Sequence, residues 1–285
     1  MKIKILVCYH KRDILLKNEI FLPIHLGRAT FDNSEQDQEK HWLYENLVGD
    51  NTGDNISSKN NDYCELTGIY WAWKNYDKLG NPDFIGFMHY RRWLSFDGWN
   101  IPKHPRDIIA VSLRSFLKRN DSATIQNVIS TGNVFTRSPL PFFETPGHEE
   151  CRKIGFDYLK TNYPNLYKIF LQQKQENKLY ASNIFVMRKD DFFRYCEIIF
   201  DILSKYNSHE LPREKGYFAE FVTSAYLEYL GQHYGSITLL PILTPHKNPV
   251  LRSLKLAFYK LLAILSFGKL KNFWKAKRES IKWLY

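Results

Sequence analysis

The sequence predicts an α/β protein whose mixed, mainly parallel sheet is flanked by helices over residues 1–250 and followed by a basic helical tail over residues 251–285. Two observations carry that prediction. Short apolar runs alternate with longer stretches of helical periodicity, the pattern left by parallel strands joined through crossover helices. The charge is also split: of a net +10, residues 251–285 carry +8 through nine Lys or Arg and one Glu. With 44% hydrophobic and 16% aromatic residues the chain can bury a substantial core, which excludes disorder over most of its length.

Taken in order, residues 3–9 form an apolar run too short for a signal h-region, with no small-residue cleavage site after it. It reads as the first strand of a chain starting at Met1. The run ends in His10-Lys11-Arg12, at the strand edge where open α/β sheets bind ligands. Residues 49–62 form a polar loop dense in turn formers, and residues 63–78 then read as an aromatic-rich helix capped by Asn61 or Asp62. Residues 84–88 are an apolar strand that stops abruptly at His89-Tyr90-Arg91-Arg92. A loop over 97–107, a short strand over 107–113 and an irregular stretch over 120–147 follow. Helical patterning covers 148–175, broken at Pro164, and the chain continues as a strand at 182–187, helices at 190–206 and 216–230, and a last strand at 236–240.

The tail interleaves Leu, Phe, Trp and Ile with Lys and Arg, and its longest uncharged run, 261–268, is far below the roughly 20 residues of a spanning helix. It reads as an amphipathic helix drawn to an anionic membrane surface; the alternative is a helix pair packed back on the body with its lysines in water. Because the positive charge sits in the tail, the body lacks the basic stripe of a nucleic-acid binder, and no nucleic-acid partner is expected. Cys8, Cys64, Cys151 and Cys196 are far apart and form no CxxC pair, which argues against a zinc site and a secreted disulfide scaffold. The expected location is therefore the cytoplasm, peripheral on the inner face of the plasma membrane.

His89, Tyr90, Arg91 and Arg92, with His10 and Lys11 from the first strand end, are the candidate seat of a pyrophosphate. Forked guanidinium groups match phosphate oxygens two at a time without an ion. The alternative is that the arginines pair with carboxylates at the sheet edge. No Asp-x-Asp pair stands at this strand end, so no metal is expected in the site. In the loop, Asp50, Asp54 and Asn55 could hydrogen-bond a base, ribose or sugar and Lys59 could meet phosphate, or the loop is an Asx-rich turn serving the next helix. Glu65 is a polar-face or cap residue unless it turns into the cleft. A carboxylate near the site could take a proton from a hydroxyl. Glu220, early in an otherwise apolar helix, leads; Asp191 and Glu214 follow it, and solvated helix positions are the alternative for all three. Asn183, preceding a strand, either binds a sugar or finishes a turn.

Several blocks carry a family likeness: Tyr9-His10-Lys11; Gly49-Asp50-Asn51-Thr52-Gly53-Asp54-Asn55-Ile56-Ser57; Tyr63-Cys64-Glu65-Leu66-Thr67-Gly68; Trp71-Ala72-Trp73-Lys74-Asn75; His89-Tyr90-Arg91-Arg92; Ser182-Asn183-Ile184-Phe185; and Gly216-Tyr217-Phe218-Ala219-Glu220. In this order they resemble the bacterial capsule and exopolysaccharide glycosyltransferases long labelled a domain of unknown function, closely over residues 1–95 and patchily over 180–230. The resemblance implies a GT-A-like (Rossmann-like) fold and transfer of a sugar from a UDP-sugar to a polysaccharide or lipid-linked glycan acceptor, with no cofactor beyond the donor. Some similar members are galactofuranosyltransferases that use UDP-galactofuranose. An epimerase or mutase is disfavoured because no Gly-x-Gly-x-x-Gly loop follows the first strand. A non-catalytic carbohydrate or lipid-surface module is the remaining alternative, in which the strand-end cations are incidental.

Overall fold

The computed structural model describes residues 1–31, 38–98, 109–144, 149–206 and 212–250; the tail, 251–285, and most of the 97–107 loop lie outside the described residues. Ten strands are present among them: β1 Ile3–Tyr9, β2 Phe21–His25, β3 Val48–Gly49, β4 Phe84–His89, β5 Trp93–Leu94, β6 Ile109–Val111, β7 Val134–Arg137, β8 Phe185–Arg188, β9 Thr238–Leu240 and β10 Ile242–Pro245. Seven form the main sheet in the order β3-β2-β1-β4-β8-β7-β9, and β5-β10-β6 form a small second sheet. In the main sheet only β8 runs against its neighbours, β4 and β7. The mainly parallel sheet expected from the alternating pattern is therefore observed.

The interior strand β1 shows why the sheet is buried on both faces. Along β1, Leu6 and Cys8 point into one core while Ile3, Ile5, Val7 and Tyr9 point into the other, the two-residue alternation of an extended chain. The first core is closed by α3 Leu66–Lys74, α6 Glu149–Asn162, α7 Pro164–Gln175, α8 Lys189–Lys205 and α9 Glu214–Tyr234. The second is closed by α1 Gln38–Asn46, α4 Leu113–Arg119, α5 Ser122–Ser130 and the small sheet. The remaining helix, α2 Asn60–Tyr63, is a single turn before α3. Gly86 on β4 lets β8 come close: a Cβ there would lie 2.6 Å from Val186 Cγ2 and 2.9 Å from the Phe185 carbonyl.

Several elements differ from expectation. The helix expected over 63–78 starts at Leu66, because Cys64 takes a φ of +51° and breaks it; Glu65 occupies the N-cap, and neither Asn61 nor Asp62 caps it. The 120–147 stretch is not irregular throughout, since Asp121 caps α5 through the Thr124 amide and β7 follows. β2 escaped the sequence reading because Pro23 interrupts its pattern. The strand expected at 182 begins at Phe185, because Ser182 and Asn183 both take left-handed conformations.

Candidate active site

The strand directions decide which residues meet. β1, β4 and β7 end at the same edge of the sheet at which the antiparallel β8 begins, with Cys8 in register with His89 and Thr136 with Phe185. His89 and Arg92, Arg137 from β7, and Ser182 and Asn183 before β8 therefore arrive at one edge. Glu65 reaches them from the start of α3, and Glu220 from the second turn of α9. The α9 helix comes this close because Gly216 lies against Cys64, where a Cβ would sit 2.9 Å from the sulfur.

Direct contacts tie the cluster together. His89 Nε2 donates to the Ser182 carbonyl at 2.7 Å and lies 3.8 Å from Glu65 Oε1. Since a carbonyl only accepts, the ring carries its proton on Nε2. Burial pushes the His89 pKa down against the opposing pull of Glu65, so the ring is neutral and acts as a hydrogen-bond donor rather than a cation. Arg92 Nη1 donates to Ser182 Oγ at 3.2 Å, and Asn183 Nδ2 donates to Glu65 Oε1 at 2.9 Å. Asn183 Oδ1 in turn accepts from Thr223, whose hydroxyl also meets Tyr195 at 2.8 Å.

Two groups have strongly shifted acidities. Burial, then the nearby Glu65 carboxylate, raises Glu220 to about 7, against the lowering pull of the Ser182 N–H, Arg92 and Arg137. Arg137 is 8% exposed, and burial followed by repulsion from Arg92 lowers it to about 10. Two guanidinium groups thus lie close together beside one carboxyl of near-neutral pKa. Arg137 was missed in the sequence because it ends a four-residue strand inside a stretch without clear periodicity. Ser182 was missed as a separate feature because nothing in its composition announces a left-handed turn.

The other candidates are dispersed. Arg91 turns away from Arg92, pairs with Asp13 at 3.1 Å and lies over the Tyr90 ring. Tyr90 is buried, stacked on Tyr9 and met edge-on by His10. Lys11, Arg91 and Arg213 thus form a basic rim beside the inner cluster and around the His10 ring, which burial and then these charges lower to about 4, leaving it a neutral hydrogen-bonding group.

The loop residues serve the fold. Asp50 is fully buried and accepts from the Gly27 and Arg28 amides and from the Ser57 and Thr67 hydroxyls, which occupies its carboxylate inside the protein. From there the loop runs the length of α3, about 13 Å, to Asp54, whose carbonyl accepts from Asn75 and whose side chain accepts from Tyr70. Asp54 is therefore at the far end of α3 from Glu65. Asn55 closes a local turn on Gly53 and Ser57, and Lys59 is exposed beside α2.

Asp191 follows β8, whose reversed direction carries it to the opposite edge of the sheet, where it accepts from Tyr234 at 2.8 Å. Glu214 is fully buried in a two-point ion pair with Arg152 and also accepts from Tyr206. Neither belongs to the cluster. Asn183, 1% exposed, has both ends of its amide engaged and supports Glu65 instead of facing a ligand.

Among the described residues no three His, Cys, Asp or Glu side chains gather to hold a metal ion. The arrangement offers guanidinium groups for an anion and a carboxyl able to exchange a proton near neutrality.

Residues 4–230 match the model of a family described as a domain of unknown function, DUF4422. No curated protein matches the chain. Among solved structures it is similar to the apo structure of the bifunctional glycosyltransferase WbbM, with a TM-score of 0.74 and 26% identity over 87% of this chain. The match takes in 46% of the WbbM chain, so this protein spans about half the length of that one. Matched by the family model over most of its length, the chain belongs to the DUF4422 family and has an α/β fold shared with part of a glycosyltransferase.

Proposed function

We propose that the protein is a glycosyltransferase that moves a sugar from a UDP-linked donor, with UDP-galactofuranose the first to test, to a polysaccharide or lipid-linked glycan acceptor. The observation that carries this reading is the convergence of Arg92 and Arg137 beside Glu220 at the strand edge that binds ligands in α/β sheets. The likeness to WbbM and to its transferase fold supports the reaction class.

In this reading Arg92 and Arg137 take the donor diphosphate, with Arg91, His10 and Lys11 at the rim. As the bond from the sugar anomeric carbon to the diphosphate oxygen breaks, its electron pair leaves with UDP, and the guanidinium groups neutralise the growing charge. The acceptor hydroxyl oxygen bonds to the anomeric carbon, and its proton passes to Glu220. A carboxyl of pKa about 7 suits that step, because it is substantially ionised at neutral pH and still basic enough to hold the proton. No metal ion is needed in this scheme.

The test is UDP release from a panel of UDP-sugars with glycan acceptor, with and without chelator. Turnover that survives chelation in the parent and falls about a hundredfold or more in Arg92→Ala and Arg137→Ala is expected. Abolition by chelator would give the charge-neutralising role to an ion instead. Absence of turnover with every donor would remove the transferase reading.

A further inference from the structure

Ser182 directs each of its polar groups at a different member of the cluster. Its carbonyl accepts from His89, its hydroxyl oxygen accepts from Arg92, and its amide N–H faces the Glu220 carboxyl closely enough to lower that group's pKa. It does so at a φ of +76°, followed by Asn183 at +47°. Successive left-handed residues that are not glycine are costly and persist only where the surroundings over-determine them. Here the surroundings do so: Asn183 is locked between Glu65 and Thr223, and Thr223 is bonded to the fully buried Tyr195. A glycine would make this turn without strain, but it would supply no oxygen for Arg92 and would not stiffen the backbone.

We infer that Ser182 is a positioning residue: its strained turn, anchored through Asn183 and Thr223, fixes Glu220, His89 and Arg92 relative to one another. This rests on the proposed transferase reading for its consequence in catalysis, while the arrangement itself is independent of it. The groups facing Glu220 are Glu65 and Cys64 from the turn before α3, Arg92 after β4 and Arg137 at the end of β7. A looser turn would withdraw the Ser182 N–H from the carboxyl and leave these others in place.

The experiment compares Ser182→Gly and Ser182→Ala with the parent by thermal melting, by steady-state kinetics with the donor, and by carbon-13 NMR titration of glutamate-labelled protein, with Glu220→Gln assigning the signal. Ser182→Gly is expected to melt at or above the parental temperature, because the left-handed conformation is free for glycine. It should nevertheless lose about tenfold or more in kcat, beyond the rise in donor KM that it shares with Ser182→Ala through loss of the hydroxyl, and its Glu220 titration should move to higher pH by about half a unit. Ser182→Ala keeps the strained backbone and should hold the parental Glu220 titration while donor KM rises, since only the Arg92 tether is gone.

Parental kcat and titration in Ser182→Gly would overturn the inference, as would a loss of activity matched by a lowered melting temperature. If the parent turns over no donor, the transferase reading fails, and the titration still decides whether Ser182 holds Glu220.

Discussion

Arg91 and Arg92 are adjacent in the chain and face different neighbourhoods. Arg92 is tethered to Ser182 beside Arg137, whereas Arg91 is paired with Asp13 in a partly exposed bridge. Arg92→Ala is therefore expected to cost far more donor turnover than Arg91→Ala, whose effect should stay within about fivefold because pairs of that exposure contribute about 1 kcal/mol or less. Equal losses in a kcat/KM comparison would put both arginines on the diphosphate.

Glu220 gives a second prediction, with opposite signs for activity and stability. Its folded pKa of about 7 lies above the ordinary glutamate value of 4.5, so between these pH values the native protein holds a proton that the unfolded chain has released. Stability contributed by this group is complete below the lower value and declines as pH rises through the window, by on the order of 3 kcal/mol in all. Glu220→Gln should then melt at a higher temperature than the parent at pH 8 and at the same temperature near pH 4.5, while its turnover falls. In the parent, kcat/KM should rise with pH through about 7, and a flat profile would take the proton-acceptor role from Glu220. The sequence offered His89 as a candidate because an apolar strand stops abruptly there, and Glu220 because it is an acid early in an otherwise apolar helix. It could not offer Arg137 or Ser182, whose positions depend on which strands become neighbours.

At the scale of elements, the direction of β8 does most to separate candidates that look equivalent in the sequence. Asp191 and Glu220 are both carboxylates early in helices, but β8 runs antiparallel and delivers Asp191 to the wrong edge. It meets Tyr234, about four turns along α9 from Glu220. Apolar runs reveal strands but not their direction, so the alternating pattern predicted the mainly parallel sheet and left this reversal hidden.

The start of α9 shows a related ambiguity, since Glu214 and Glu220 lie on the same helix and only Glu220 reaches the cluster. Glu214 instead joins α9 to Arg152 on α6 and to Tyr206 after α8, with Arg152 3% exposed and Glu214 fully buried. Arg152→Ala would leave a buried carboxylate without its bidentate partner and should destabilise the fold by about 3–5 kcal/mol. Replacing both partners with apolar residues, as in Arg152→Met with Glu214→Leu, should recover most of that loss in chemical denaturation. A mild effect of Arg152→Ala alone would mean that the pair does not hold α6 against α9.

At the scale of the whole molecule, residues 251–285 carry most of the net charge, and the other 250 residues carry only +2. No helix among the described residues is long and apolar enough to cross a membrane. Attachment of the protein to a bilayer is therefore proposed to act through the tail. Basic residues near an anionic surface contribute about 1 kcal/mol each, so even four of the nine in the tail would favour the bound state by roughly a thousandfold. The aromatic and aliphatic residues between them would add apolar contact that salt does not screen. Deleting 251–285 should abolish co-sedimentation with phosphatidylglycerol vesicles and leave turnover of a soluble donor and acceptor within about twofold of the full chain, because the Arg92, Arg137 and Glu220 cluster lies entirely in the body. Raising ionic strength to about 1 M shortens the screening length to about 3 Å and should release most of the full-length protein. If the truncated protein still binds the vesicles, the contact lies on the body; if it loses donor turnover as well, the tail packs against the domain that holds the site.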